Sequence, residues 1–336
     1  KVSAQVIRPI FITEEVYPKR LGSENIKIEK NFIDVLGSSA SSSTSLIVIS
    51  AGSGEIFDNE FFVSNGTHKT ITGVSATNLY VTSSGQVTQS GSLKIHHNKL
   101  KIQDTTFRSA STISVTRAPY GEIQNNELEL SGTNTFNPDD SKNNYILGVV
   151  ATGNNSLSAD KTSPNADIDG TKVTITGKLI INENGNQGAD LGGAKSVTGS
   201  VSGNELKLEN LDIEMAENLV LRIYGGYSGQ DTYSMPKVGA GAFENKVLFN
   251  GIHEDWSSRK YNPIISGGYS EIQDADGNEV ELSKSVLLFN TDKAGPSICG
   301  GYAAENSTNN KVQLNQNSSV VGNIVGSVSE QGGELS

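Results

Sequence analysis

The chain has 336 residues, of which 35 % are hydrophobic and 6 % aromatic, and it contains 36 Gly. Ordinary globular domains are roughly 45–50 % apolar, so a compact helical enzyme is disfavoured. The formal net charge of −11 excludes a basic surface for nucleic acid and disfavours binding to an anionic membrane.

Cysteine and apolar runs exclude two further classes of protein. Cys299 is the only cysteine, so neither an intrachain disulfide nor a cysteine-based zinc set can form. No run of 18 apolar residues occurs, so no membrane span is expected within residues 1–336.

A short unit recurs from the N-terminal part of the chain onwards: Asn, any residue, then alternating apolar positions. Each copy alternates over four to six residues, which predicts a half-buried strand with one face inward. The copies, one of them with Ser285 in place of Asn, lie at residues 54–63, 93–102, 121–130, 203–208, 244–249, 284–289 and 310–314.

A second unit, with the pattern I-x-G-G-Y, alternates with the first at residues 223–228, 265–270 and 298–303. Degenerate versions lie at residues 47–52 and 146–151. We therefore predict a single repeat domain over residues 1–336, less regular over 1–200 and regular over 201–336.

Repeated short strands without intervening helices predict an all-β fold, a parallel β-solenoid whose coils stack about 4.8 Å apart. At about 20 residues per coil, the chain would make at most about 17 coils. Turn formers and charges predict protruding loops at residues 133–144, 154–169, 229–239, 252–262 and 271–279.

The recurring Asn has a physical explanation in a solenoid. Asn tolerates the left-handed conformation of a tight bend, and its amide can bond to the same position one coil along. We predict a structural ladder made of Asn59, Asn98, Asn126, Asn204, Asn245 and Asn310.

The alternation of I-x-G-G-Y-S with E-N-K-V-x-F between residues 223 and 314 resembles the passenger domains of Gram-negative type V autotransporters. The resemblance implies a right-handed parallel β-helix, displayed extracellularly by a separate C-terminal β-barrel outside these residues. It also implies a virulence-associated adhesin that binds a protein or glycan on a host or neighbouring cell, with self-association as a further expectation. The chain ends in what looks like the start of another repeat, which predicts a fragment of a longer passenger.

Two sets of residues are candidates for binding. Tyr227, Tyr269 and Tyr302 would lie in register, either as an aromatic stripe for contact or as a packing ladder. Trp256, Arg259 and Tyr261 belong to a cluster that contains the only Trp; it is either an exposed contact loop or a loop that folds its Trp onto the rod.

Catalytic and metal motifs are weak. The chain has four His and no G-x-S-x-G elbow, so no catalytic residue and no cofactor are predicted. Residues 274–278 resemble the front of a calcium loop, but Asp-Gly at this place also predicts a hairpin turn, so no metal is assigned. A carbohydrate-active β-helix enzyme, such as a polysaccharide lyase or hydrolase, and a non-binding structural spacer stay open as alternatives.

Overall fold

The computed structural model describes residues 3–13, 26–50, 53–76, 79–81, 87–89, 93–108, 112–118, 121–137, 144–151, 166–182, 188–229 and 239–330. Within these ranges all regular secondary structure is β-strand. The predicted all-β class is confirmed.

The strands stack as the coils of a parallel β-helix. Glu127–Ser131, for example, pairs in parallel with Lys99–Gln103 on one side and with Lys172–Ile181 on the other. Between 28 and 41 residues separate ladder residues that bond to each other on successive coils. The expected coil length of about 20 residues was wrong, because each coil contains four short strands.

Two of the four strand positions flank the ladder. The corner sheet, which comes first in each coil, consists of Ile26–Glu29, Gly54–Phe57, Leu93–His96, Glu122–Gln124, Asp167–Asp169, Val201–Ser202, Ala242–Phe243, Ala275–Asp276 and Ser307–Thr308. The charged wall, which follows it, consists of Phe32–Leu36, Glu60–Ser64, Lys99–Gln103, Glu127–Ser131, the first halves of Lys172–Ile181 and Glu205–Met215, then Lys246–Asn250, Glu279–Ser283 and Lys311–Leu314.

The other two strand positions close the coil. The short wall consists of Ser3–Ile7, the first part of Ser39–Ser50, Thr67–His68, Thr106–Arg108, Thr133–Asn137, the second halves of Lys172–Ile181 and Glu205–Met215, then His253–Trp256, Val286–Phe289 and Ser319–Val321. The glycine wall consists of Ile10–Thr13, the rest of Ser39–Ser50, Ile71–Ala76, Thr112–Arg117, Asn144–Ala151, Gly188–Ser196, Val220–Ser228, Ile264–Ser270, Ile298–Ala303 and Ile324–Ser329. Leu79–Val81 and Val87–Gln89 form a separate antiparallel pair.

Left-handed residues make the corner between the corner sheet and the charged wall. In each coil the residue just before the ladder position has a positive φ, which turns the chain sharply and suits Gly, Asn and Asp. The members are Lys30, Asp58, His97, Asn125, Gly170, Gly203, Glu244, Gly277 and Asn309.

The core is one continuous cluster inside the coils. On the charged wall, Leu206 and Leu208 are buried while the residues between them point outward, as a period of two requires. Stacking therefore buries an apolar strip that a single coil would leave exposed.

The glycine pairs allow the glycine wall to approach the ladder closely. A Cβ added at Gly226 would lie 2.4 Å from Asn245 Oδ1, and one added at Gly268 would lie 2.2 Å from Asn278 Oδ1. The Asn unit and the I-x-G-G-Y unit of the sequence thus contact each other across the interior of the coil.

Several predicted loops contain strands. Thr133–Asn137, Asp167–Asp169 and His253–Trp256 are wall or sheet strands, which shortens the protruding segments. Residues 138–143, 154–165 and 230–238 of the predicted loops lie outside the described residues. The hairpin expected at residues 274–278 was wrong, because Ala275–Asp276 pairs in parallel with the neighbouring coils.

Candidate binding surface

The predicted asparagines lie in one buried column along the coils, where most side-chain amides bond to the amide on the next coil. Asn59 Nδ2 donates to Asn98 Oδ1 at 2.9 Å, and Asn204 Nδ2 donates to Asn245 Oδ1 at 2.9 Å. The amide on the next coil also accepts from the backbone N–H of the ladder residue before it. Each amide therefore fixes the spacing and register of two coils.

Sequence reasoning missed two ladder asparagines. Asn31 Nδ2 donates to Asn59 Oδ1 at 2.8 Å, and Asn278 lies between Asn245 and Asn310 with amide bonds of 3.0 Å on both sides. Asn278 follows Gly277, whose residue type signals a left-handed bend, whereas Asn31 follows the left-handed Lys30, whose residue type does not.

The ladder is interrupted once, at Thr171. Among the described residues, Asn126 Nδ2 bonds only to the carbonyls of Ile95 and Gln124, at 3.0 and 3.1 Å. The Thr171 Oγ1 atom is buried without a hydrogen-bond partner in the described part of the chain. Two ladder segments result, residues 31–126 and 204–310.

The structure corrects the expectation that Trp256 is an exposed contact residue. Its side chain is 1 % exposed and packs on Phe289, with ring centroids 5.2 Å apart. The two residues are register partners on the short wall, so Trp256 occupies a core position. The loop that folds its Trp onto the rod is the arrangement observed.

Arg259 is also an internal residue, which corrects its predicted contact role. It is 6 % exposed, and its Nη1 and Nη2 atoms donate to the carbonyls of Ala216 at 3.1 Å and Met215 at 2.9 Å. The guanidinium thus ties its loop to the preceding coil.

Two consecutive loops are joined into one surface, the loop platform (residues 257–264 and 290–297). Asn262 Nδ2 donates to the Asn290 carbonyl at 2.9 Å, and the Asn290 N–H donates back to Asn262 Oδ1 at 2.9 Å. Asn290 Nδ2 also donates to the Arg259 carbonyl at 3.1 Å. The platform is therefore fixed by bonds that cross from coil to coil.

The platform exposes an aromatic and an aliphatic side chain. Tyr261 is 43 % exposed and Ile264 is 42 % exposed. The Lys260 Nζ atom lies 5.1 Å from the centroid of the Tyr261 ring, and residues 291–296 of the neighbouring loop are all exposed. Of the three residues predicted for this loop, Tyr261 alone is available for contact.

The three predicted tyrosines stack on the outer face of the glycine wall. The ring centroids of Tyr227 and Tyr269 are 4.9 Å apart and those of Tyr269 and Tyr302 are 4.6 Å apart, with the rings nearly parallel. Tyr227 is 2 % exposed and the other two rings are partly buried. This is the packing-ladder arrangement, and it corrects the expectation of a contact stripe.

A charged cluster beside the tyrosines was missed in the sequence. Asp190 is fully buried and accepts from Arg222 Nε and Nη2, both at 2.7 Å. The Lys195 Nζ atom lies 4.5 Å from the centroid of the Tyr227 ring. Asp190 and Arg222 are register partners on adjacent coils, a relation that sequence spacing does not reveal.

Glu254 lies beneath the loop platform at an inward-facing position of the short wall. Its register partner Leu287 is a core residue, and its Oε1 atom accepts from the Ile213 N–H at 2.9 Å. Burial raises the pKa of this carboxyl to about 7, and the neighbouring Asp212 adds to the rise.

The calcium-like segment faces the next coil. Asp274 Oδ1 accepts from the Asn306 N–H and Nδ2, and Asp276 Oδ1 accepts from Thr308 Oγ1 at 2.7 Å. Over the described ranges, no three His, Cys, Asp or Glu side chains are grouped as a metal site.

The comparisons with known proteins identify no relative. No protein-family model, no curated protein and no solved structure matches this chain. In the part of the chain that the structure describes, no helix has the length and apolar character needed to cross a membrane.

Proposed function

We propose that this chain is a β-helix segment of an autotransporter-type passenger that works as an extracellular adhesin. It binds a protein or glycan on a host or neighbouring cell through the loop platform. The observation that carries the proposal is the coil-to-coil anchoring of this platform beneath exposed Tyr261 and Ile264.

The physics of binding favours such an arrangement. A loop held in place before contact loses little conformational entropy when it binds. Tyr offers a large amphipathic contact area with few rotatable bonds, and Lys260 beside it supplies a charge for a polar partner. The buried Trp256 and Arg259 support the contact residues from below.

Surface display rests on the repeat pattern of residues 223–314, which resembles autotransporter passengers. The single cysteine is consistent with export, because a lone thiol cannot form an intrachain disulfide in an oxidising compartment. The net charge of −11 argues against nucleic acid as the partner.

The test is attachment of the purified, fluorescently labelled chain to host and bacterial cells. We expect the double variant Tyr261→Ala, Ile264→Ser to bind at least about tenfold more weakly, because central aromatic contacts dominate interfaces. The matched control is Phe32→Ala, which removes a 66 % exposed aromatic ring outside the platform. Unchanged attachment of the double variant would favour a structural spacer, and release of reducing or unsaturated sugars from a polysaccharide would favour an enzyme.

A further inference from the structure

A column of alternating charge runs along the outer face of the charged wall. Each member directly follows a ladder residue and pairs in register with its neighbours in the column; the position before Glu60, after the ladder residue Asn31, is the uncharged Phe32. In chain order the column reads Glu60, Lys99, Glu127, Lys172, Glu205, Lys246, Glu279 and Lys311. Successive members lie about 4.8 Å apart, and no two neighbours have the same sign.

The ends of this column are paired within the chain and its centre is not. Lys99 Nζ lies 3.0 Å from Glu127 Oε2, and Lys311 Nζ lies 3.0 Å from Glu279 Oε1. Across the described residues, Lys172 and Glu205 at the centre make no ion pair. Exposed ion pairs are worth only about 0–1 kcal/mol each, so fold stability alone is a weak reason for such strict alternation.

An alternating column of eight that begins with Glu and ends with Lys is complementary to its own reverse. A two-fold axis parallel to the strands, midway between two facing copies, keeps each column on itself and reverses the coil order. The opposed pairs are then Glu60 with Lys311, Lys99 with Glu279, Glu127 with Lys246, and Lys172 with Glu205.

The next outward column obeys the same symmetry. It lies two residues further along each strand, and the reversal sets Lys101 opposite Glu281 and Glu129 opposite Leu248. No like charges meet in either column. A slip by one coil would set like charges against each other, for example Glu60 against Glu279. A slip by two coils keeps opposite signs but opposes six members of the column instead of eight, so the centred register is favoured.

We propose that the charged wall is a self-association surface, on which a second copy of this chain docks antiparallel about a two-fold centred between Lys172 and Glu205. The proposal gives the expected self-association a surface and a register. It does not depend on receptor binding by the loop platform, which lies outside the charged wall.

The size of the surface predicts a weak dimer. Eight strands at about 4.8 Å and roughly 15 Å of strand length give about 600 Å² per copy, or about 1,200 Å² in total. That area is at the lower limit of specific interfaces, and its contacts are exposed charges that salt screens. We therefore expect reversible association at micromolar concentration that weakens as ionic strength rises.

The test is sedimentation velocity of the full chain over a concentration series, at about 50 mM and about 500 mM NaCl. Lys172→Glu sets a carboxylate against Glu205 of the other copy, and Glu205→Lys sets two ammonium groups against each other at the same place. We expect each variant alone to raise the dimer dissociation constant at least about tenfold. An equimolar mixture of the two variants restores opposite charges at the centre and should recover the wild-type constant within about threefold.

The mixture separates association from folding, because a variant that merely destabilises the coil is not rescued by another. The matched control is Lys94→Glu on the corner sheet, where Lys94 lies in register between Glu55 and Glu122 as Lys172 lies between Glu127 and Glu205. The control should dimerise like the wild type. A wild type that stays monomeric at about 200 µM and low salt, single variants that dimerise normally, or a mixture that stays monomeric would each overturn the proposal.

Discussion

The first region of the molecule, residues 26–151, and the last, residues 201–330, contain the same ladder but differ in the wall that faces it. In the last region glycine occupies the facing position, and in the first region β-branched residues do. Along the register this column reads Ile47, Val74, Thr116, Val149, Ala194, Gly226, Gly268 and Gly301. The side chain in this column becomes smaller towards the C-terminal end, and at Gly226 and Gly268 an added Cβ would clash with a ladder amide.

The comparison explains why the repeats look regular only after residue 200. The ladder amide distances are similar in both regions, 2.8–3.1 Å in residues 31–126 and 2.9–3.0 Å in residues 204–310. A side chain can fill a wide gap in several ways, whereas a backbone contact accepts only glycine. The regular glycine pattern therefore reflects contact between the ladder amides and a glycine backbone. It does not indicate shorter hydrogen bonds within the ladder.

The largest effect is expected when a glycine of this column in the last region is replaced by a β-branched residue of the kind found in the first region. Gly268→Val forces a side chain against Asn278, whose amide is fixed by bonds on both sides, and should cost about 3 kcal/mol or more. The control Val74→Ile adds one methylene where β-branched residues already pack, and should cost about 1 kcal/mol. Denaturant unfolding measures both, and equal losses would contradict the difference between the walls.

Glu254 makes the last region sensitive to high pH. Its folded pKa of about 7 is above the ordinary value, so its contribution to stability is full below about pH 4.5 and is lost as pH rises towards 7. Glu254→Gln should stabilise the chain by about 1–3 kcal/mol at pH 8 and hardly at all at pH 4. Thermal unfolding of the wild type and the variant at pH 4 and pH 8 measures this difference. An equal stabilisation at both pH values would exclude titration of Glu254 as the cause.

His68 makes the first region sensitive to low pH. It is buried, its Nδ1 atom is 2.8 Å from Thr44 Oγ1, and burial lowers its pKa to about 4. Its contribution to stability is therefore full above about pH 6.5 and is lost as pH falls towards 4. When the pH is lowered from 7 to 4, the free energy of unfolding of His68→Gln should rise by up to about 3 kcal/mol relative to that of the wild type. Denaturant unfolding measures this difference. A relative gain on raising the pH would contradict this sign.

Much of the architecture was readable from the sequence, because a strand period of two and a recurring corner residue are local signals. The coil length was not, because the short strands of the corner sheet, such as Ala275–Asp276, contain only two residues. The local sequence left open whether Trp256 is exposed on its loop or folded onto the rod. Aligning Asn245 with Asn278, 33 residues later, sets Trp256 on Phe289 and predicts burial.

The alternating charge column was not visible in the sequence, because the predicted ladder lacked Thr171 and Asn278. The residues after the six predicted asparagines read Glu, Lys, Glu, Glu, Lys, Lys, which shows no alternation. Adding Thr171 and Asn278 inserts Lys172 and Glu279 and makes the alternation complete. The structure supplied the register, since coil lengths vary too much for spacing alone to give it.

Ladder asparagines in the two regions should cost equally when removed. Asn98→Ala and Asn245→Ala each remove the acceptor of two donors on the coil before and the donor to the amide oxygen on the coil after, and each should lose about 2 kcal/mol by denaturant unfolding. The control Asn250→Ala removes a partly buried amide on the charged wall, bonded to Glu209 at 2.8 Å, and should lose less than about 0.5 kcal/mol. A much smaller loss at Asn98 would mean that the first region does not depend on its ladder.

The smallest effect, and the only expected gain that is independent of pH, comes from joining the two ladder segments. Thr171→Asn places an amide between Asn126 and Asn204, where the Thr171 N–H already donates to Asn204 Oδ1 at 3.0 Å. Gly148 lies opposite this position: a Cβ added there would lie 2.4 Å from Thr171 Cγ2, so the glycine leaves the space that the side chain at 171 occupies. One added buried bond and the loss of an unpaired hydroxyl should stabilise the chain by about 1 kcal/mol. Thr171→Val is the control, because it removes the hydroxyl without adding the amide. A gain by Val equal to that by Asn would assign the effect to the loss of the hydroxyl and would contradict a bond between the two ladder segments.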